Sequence, residues 1–327
     1  MVMMRLLLVC LLPFTACALD LGLPTDNDAL RRGDNEAFYQ PTVEGSIESG
    51  MFGCARRGGH RFHEGIDVRC LHRDKRGEPL DEVRAVADGA VAFVNAKPGL
   101  SNYGRYILLA HRWDGVEVYT LYAHLAEVAA ELKLGQAVAK GQRIGTLGHS
   151  TNTKEGIPRE RAHLHFEVDF LFNTNFHIWY PKRDPKAPPF GNFNGLNLYG
   201  IDPAALLLAT GPNPKLNFAE YVARQTVAFT VLLPPKPFPW LKLHPEQIQP
   251  VHNDAAIVAY EIGVTAWGVP IAVWPRSEAG KRLPSVARVD EAELARNGCR
   301  TLVQRDKHGW TLSQHGHEWL EILTYTP

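Results

Sequence analysis

The run His163-Leu164-His165-Phe166-Glu167-Val168 restricts what this chain can fold into more than any other six residues. Polar and apolar residues alternate without a break. In a β-strand successive side chains point to opposite faces, so His163 and His165 share one face while Leu164 and Phe166 take the other. The alternation therefore predicts a strand that carries an imidazole pair on one side and packs on the other. Further strand-like runs, 90–94, 106–110 and 116–122, are separated by Gly and Asn turns. Several short strands with turn signals between them predict a mainly β chain.

The chain has 327 residues, which suggests about two domains. Apolar residues make up 45% and charged residues 21%, enough to build a core and too few charges for a disordered chain. Lys plus Arg is 35 and Asp plus Glu is 35, so no basic excess supports nucleic-acid binding through bulk charge.

Residues 1–18 read as a signal peptide. Arg5 precedes the apolar run Leu6–Phe14, which is too short to cross a membrane, and Ala16-Cys17-Ala18 offers a small-residue cleavage site. Export to the periplasm or the extracellular space is expected. Cys17 leaves a lipid-anchored form as the lesser reading, because the usual Leu three positions before such a cysteine is Phe14 here. No other segment reaches spanning length without charges. Residues 19–44 are polar and turn-rich, a lead-in. Residues 45–212 hold the strand-like runs above, with 125–134 weakly helical and 173–200 a long loop. Asp202-Pro203 is expected to cap a short helix. Residues 213–327 read as a second, β-rich domain of unknown role that metal binding does not require. In an oxidising compartment Cys54 and Cys70 could pair, leaving Cys299 as a buried thiol; three free thiols are the alternative.

His63 and Asp67 are four residues apart, which places them on one face of a strand or a helical turn. With the His163 and His165 pair they could build a zinc site, which takes imidazole nitrogen and carboxylate oxygen and, where catalytic, keeps three protein ligands and a water. Each spacing alone is common by chance. Their order and surroundings are not. The segment 59–68 around His63-Glu64-Gly65-Ile66-Asp67 is followed by Val86-Ala87-Asp88-Gly89-Ala90-Val91. Then come Tyr122-Ala123-His124-Leu125, the segment 135–145 and the 163–168 run.

These five blocks closely resemble the lysostaphin/LytM-type zinc endopeptidases, peptidase family M23, over about residues 50–172. The resemblance implies a central antiparallel sheet with an open groove, and hydrolysis of peptide cross-links in bacterial peptidoglycan. It implies one Zn²⁺ per chain on His63, Asp67 and His165, with His163 and His124 as the catalytic histidines. A zinc-bound water would attack the scissile carbonyl. His163 is assigned as general base and His124 as oxyanion or water-orienting group, the reverse remaining open. Glu64 is a weaker rival base. A catalytically silent wall-binding or activator module of the same fold is the alternative. The stretch from Gly145 to His163 is longer than the family's usual loop and would border the groove. The aromatic residues of 170–199 are expected to cover the sheet. His315-Gly316-His317 is read as a surface turn, and His111 is left out of the site.

Overall fold

The computed structural model describes residues 19–211, 216–250, 256–278 and 282–327. The expected signal peptide, with Cys17 and its lipid-anchor reading, and the boundary at 212/213 lie outside the described residues.

The chain is mainly β, built on an antiparallel sheet. In spatial order its strands are Leu198–Ile201, His163–Leu171, Val116–Leu125, Arg105–Trp113, Gly89–Asn95 and Ala137–Val138. Arg105–Trp113 and Val116–Leu125 form a hairpin through Asp114-Gly115, both with left-handed backbone (φ 48° and 87°). A two-residue turn of that kind matches the right-handed twist of its flanking strands.

His163–Leu171 lies second from one end of the sheet, with Val116–Leu125 on its inner side, and all nine of its residues are buried. Leu164, Phe166, Val168 and Phe170 join the main core. The opposite face carries His163, His165, Glu167 and Asp169, a row of ionisable groups that burial makes costly unless each finds a partner. One edge of the strand is shared: Ile66–Arg69 pairs with its first half and Leu198–Ile201 with its second. The register sets His165 opposite Asp67 on that edge and opposite Ala123, the neighbour of His124, on the other.

The lead-in segment packs into the fold. Leu21, Leu30 and Phe38 are buried, and the Gln40 amide donates to the Asp67 carbonyl at 2.8 Å. Residues 125–134 are not helical, because Glu127–Val128 pairs with Arg143–Thr146. Residues 173–200, expected as a loop, contain a helix, Phe176–Arg183. The expected short helix is present at Pro203–Thr210, with the Asp202 carboxylate accepting from the Ala204 and Ala205 amides.

Beyond residue 215 lies a second antiparallel sheet, Pro270–Arg276, Ala259–Val264, Phe229–Leu233 and Ser285–Val289. A hairpin, Val303–Asp306 with Gly309–Leu312, and the helix Gln314–Thr324 follow. His315-Gly316-His317 is therefore not a surface turn but the first turn of that helix, capped by Ser313. The core runs on between the two sheets. Phe172 stacks on Tyr199 at 4.0 Å and meets Trp240 and Trp319 edge-on, while the Asn173 side chain donates to the carbonyls of Ile322 and Tyr325. The expected Cys54–Cys70 pairing is wrong. Cys54 is bonded to Cys299, Cα to Cα 5.7 Å, and Cys70 is the buried free thiol. Among the described residues no helix is long and apolar enough to cross a membrane.

Candidate metal centre

Three donor atoms converge where Arg61–His63, Ile66–Arg69 and His163–Leu171 meet. His63 Nε2 lies 3.0 Å from His165 Nδ1, His165 Nδ1 lies 3.0 Å from Asp67 Oδ1, and His63 Nε2 lies 3.2 Å from Asp67 Oδ1. Donors held about 2.0–2.1 Å from one tetrahedral ion are roughly 3.3 Å from each other. The spacing, the donor chemistry and the full burial of all three residues thus fit a zinc-type cation.

Gly65 makes the approach possible. A Cβ there would stand 2.3 Å from the Phe166 carbonyl oxygen and 2.8 Å from Glu167 Cγ. Gly65→Ala is expected to push Ile66–Arg69 off its partner strand, costing roughly 1–3 kcal/mol as overpacking does. Asp67 would move away from His165 with it. Thermal unfolding and bound zinc should fall together; a variant that keeps both would disprove the account.

The outer atoms of the three donors are held as well. His63 Nδ1 donates to the Met51 carbonyl at 2.7 Å, and His165 Nε2 donates to Glu167 Oε1 at 2.6 Å. The Tyr103 hydroxyl donates to the same Glu167 oxygen at 2.8 Å. Such partners fix the tautomer and orientation of a ligating imidazole. Asp67 Oδ2 accepts from Arg56 at 2.7 Å. Burial works against the charge of Asp67, yet His63, His163 and Arg56 hold its carboxyl well below the usual range. Burial works against a charged His165 too. Its hydrogen bonds to Asp67 and Glu167 outweigh that and hold the imidazole up at about 9. One step along the same face, burial and the charge of Glu167 push the Asp169 carboxyl well above its usual range. Asp169 thus holds its proton more tightly than Glu167, its neighbour on the same face.

His163 and His124 flank the donors. His163 Nδ1 donates to the Arg161 carbonyl at 2.7 Å, leaving Nε2 3.5 Å from Asp67 Oδ1. His124 Nδ1 donates to the Ser150 carbonyl at 2.9 Å. Their rings lie 4.9 Å apart. Burial keeps both imidazoles neutral, and for His124 the neighbouring His163 and His165 add to it. His124 has a left-handed backbone (φ 60°), rare for a residue with a side chain and worth of order 1–3 kcal/mol of strain. His124 falls where the pairing with Arg105–Trp113 shifts register, between Tyr122 and Leu125.

All five residues singled out in the sequence come together, and Asp67, His124, His163 and His165 line a groove of about 860 Å³. His63 itself is fully buried. Thr151, Asn152, Thr153, Ile157 and Arg161, from the long stretch before His163, line the groove, and Phe190 closes part of the far side. Arg300, Leu302, His315 and Trp319 from the C-terminal part line another side. Glu64 also lines the groove and is paired with Arg300 at 3.6 Å. His111 is bound between the Asp88 carbonyl and Thr120, outside the site. Arg56, Tyr103, Glu167 and Asp169 were not anticipated as site residues.

Solved structures similar to this chain include the catalytic domain of the antimicrobial peptidase lysostaphin from Staphylococcus simulans. It is 23% identical, with 48% of this chain and 86% of that chain covered, at a TM-score of 0.29. A zinc containing peptidase from Vibrio cholerae is 25% identical, with 40% and 36% covered and a TM-score of 0.26. Helicobacter pylori Csd3 is 21% identical, with 60% and 39% covered and a TM-score of 0.30. A search of the curated proteins finds no match. The resemblance read from the five sequence blocks is borne out by the model of peptidase family M23, which matches residues 61–175, the segment that carries His63, Asp67, His124, His163 and His165.

Proposed function

We propose that this chain is an exported zinc-dependent endopeptidase that hydrolyses peptide cross-links of bacterial peptidoglycan. The observation that carries the reading is the buried convergence of His63, Asp67 and His165 beside two neutral histidines in a groove. The M23 match over the same residues supports it. His63 Nε2, His165 Nδ1 and Asp67 Oδ1 would hold one zinc ion. Bound there, zinc supplies Lewis acidity that polarises a carbonyl and lowers the pKa of water toward about 7.

The chain's own residues do the rest. His163, neutral and tied through Nδ1, presents a basic Nε2 to the groove and takes the proton of the attacking water. The same proton then goes to the leaving amine. His124, tied through Nδ1 to Ser150, presents its other nitrogen to the developing oxyanion. Arg56 donates to the outer oxygen of Asp67 and keeps that carboxylate ionised and oriented. Glu167 and Tyr103 hold His165 in its tautomer. Digestion of purified peptidoglycan, with the fragments identified by mass, tests the reading; intact peptidoglycan with zinc-loaded protein would favour the silent module.

Zinc content and its pH dependence follow from the same donors. One zinc per chain is expected by elemental analysis. His165, held at about 9, carries a proton at neutral pH that the ion must displace from Nδ1. Apparent zinc affinity should therefore rise about tenfold per pH unit through neutrality and level off near 9, with about one proton released per zinc. The sign is fixed: a raised imidazole pKa makes acid compete with the metal. Calorimetry in buffers of different ionisation enthalpy counts the proton, and a pH-independent affinity would refute the assignment.

A further inference from the structure

The walls of the groove differ in charge. Arg56, Arg61 and Arg161 line the side built from Gly53–Arg56, Arg61–His63 and the turn Arg159–Arg161. Of the nearby acids, Asp67 accepts from Arg56 and Glu64 is paired with Arg300, while Glu160 of the turn is not among the groove-lining residues. Arg161 donates through Nε to the Pro41 carbonyl at 3.2 Å, and among the described residues no ion pair engages its guanidinium. Burial weakens its hold on its proton; the attraction of Asp67 opposes this, and the repulsion of Arg56 adds a smaller push. The facing wall is uncharged, with Leu100, Asn102, Tyr106, Asn194 and Leu196. On the C-terminal wall, Arg300 is neutralised by Glu64, and Glu318 is the remaining acid.

A divalent ion on His63, Asp67 and His165 would add to this excess of positive charge. A peptide backbone brings no charge to offset it. We infer that the substrate carries a free carboxylate close to the scissile bond, and that Arg161, assisted by Arg61, receives it. The planar guanidinium is suited to this, because its parallel N–H groups match both oxygens of a carboxylate. The inference rests on the peptidase reading and narrows it. Of the peptides such a groove could admit, those with a carboxylate on the Arg161 side are preferred over neutral ones such as glycine chains.

The test uses the zinc-loaded full chain and cross-linked stem-peptide dimers released from peptidoglycan. One batch keeps its free carboxylates and the other has them converted to primary amides. The native protein should show a KM about tenfold or more lower for the acid form, as for a charge-assisted hydrogen bond. Raising NaCl should shrink the ratio through screening. Arg161→Gln should bring the ratio close to one, Arg161→Lys should restore part of it, and Arg61→Gln, at an exposed position, should lower it less. An equal KM for the two dimers in the native protein, or an unchanged ratio in Arg161→Gln, overturns the inference. If neither dimer is cleaved, the peptidase reading has failed on its own, and calorimetric Kd values for the two dimers decide this point separately. Equal Kd values, or no binding, overturn the carboxylate subsite.

Discussion

His165→Ala is expected to lose both bound zinc and activity, whereas His163→Ala keeps its zinc and loses activity alone. The two residues share one strand face, two positions apart, and look equivalent in the sequence. Their surroundings separate them. His165 Nδ1 lies within 3.0 Å of both His63 Nε2 and Asp67 Oδ1, and its other nitrogen is engaged by Glu167. Removing it deletes one of three donors. His163 Nε2 stands farther off, 3.5 Å from Asp67, and among the described residues no cluster of three metal donors includes it. Removing it leaves all three donors and takes away a neutral base. The rate should fall by roughly a hundred- to ten-thousand-fold, the usual scale for a general acid–base. His124→Ala should behave like His163→Ala, and His63→Ala and Asp67→Ala like His165→Ala. Zinc per protein measured beside turnover on purified peptidoglycan distinguishes the groups. A His163→Ala protein without zinc, next to a His165→Ala protein that retains it, would reverse the assignment within the pair.

The period of two in the 163–168 run makes the strand, its buried face and its imidazole pair legible in the sequence. The same period, extended by two residues, also puts Glu167 and Asp169 on the imidazole face, but without a partner in view they read as ordinary strand polarity. Arg56 and Tyr103 carry no sequence signal at all. Tyr103 reaches Glu167 across 64 positions, a contact only the sheet register creates. Residues 125–134 contain good helix formers, yet strand pairing of Glu127–Val128 overrides that weak preference. In His315-Gly316-His317 the glycine suggests a turn. It is there because a Cβ would stand 1.9 Å from the Leu302 carbonyl, under the helix that carries it. The cysteine pairing is beyond reach for a related reason. Spacing restricts which thiols are near in sequence, while a bond needs nearness in space, and Cys299 arrives from 245 residues away.

That bond is the basis of the second large effect. Replacing Cys54 and Cys299 together by serine is expected to cost roughly 2–5 kcal/mol, the range for losing a native disulfide, since the loop it closes is long. The loss should be local as well as global. Cys54 lies two residues before Arg56 on the strand paired with Arg61–His63, and Cys299 is followed by Arg300. The Arg300 guanidinium sits over the rings of Phe62 and Tyr199 at 4.3 and 4.6 Å and faces Glu64 at 3.6 Å. The disulfide therefore clamps the C-terminal wall of the groove onto the hairpin that ends in His63. Without it, contacts of about 0.5–2 kcal/mol each remain to hold that wall. The metal donors sit on strands paired independently of the bond, so zinc content should stay near one per chain while the melting temperature falls and KM rises more than kcat drops. Cys70→Ser, which leaves the bond intact, should not reproduce the rise in KM. Peptide mapping of the oxidised native protein that links Cys54 to Cys70, or a double variant with unchanged melting temperature and KM, would show that the wall is held by something other than this bond.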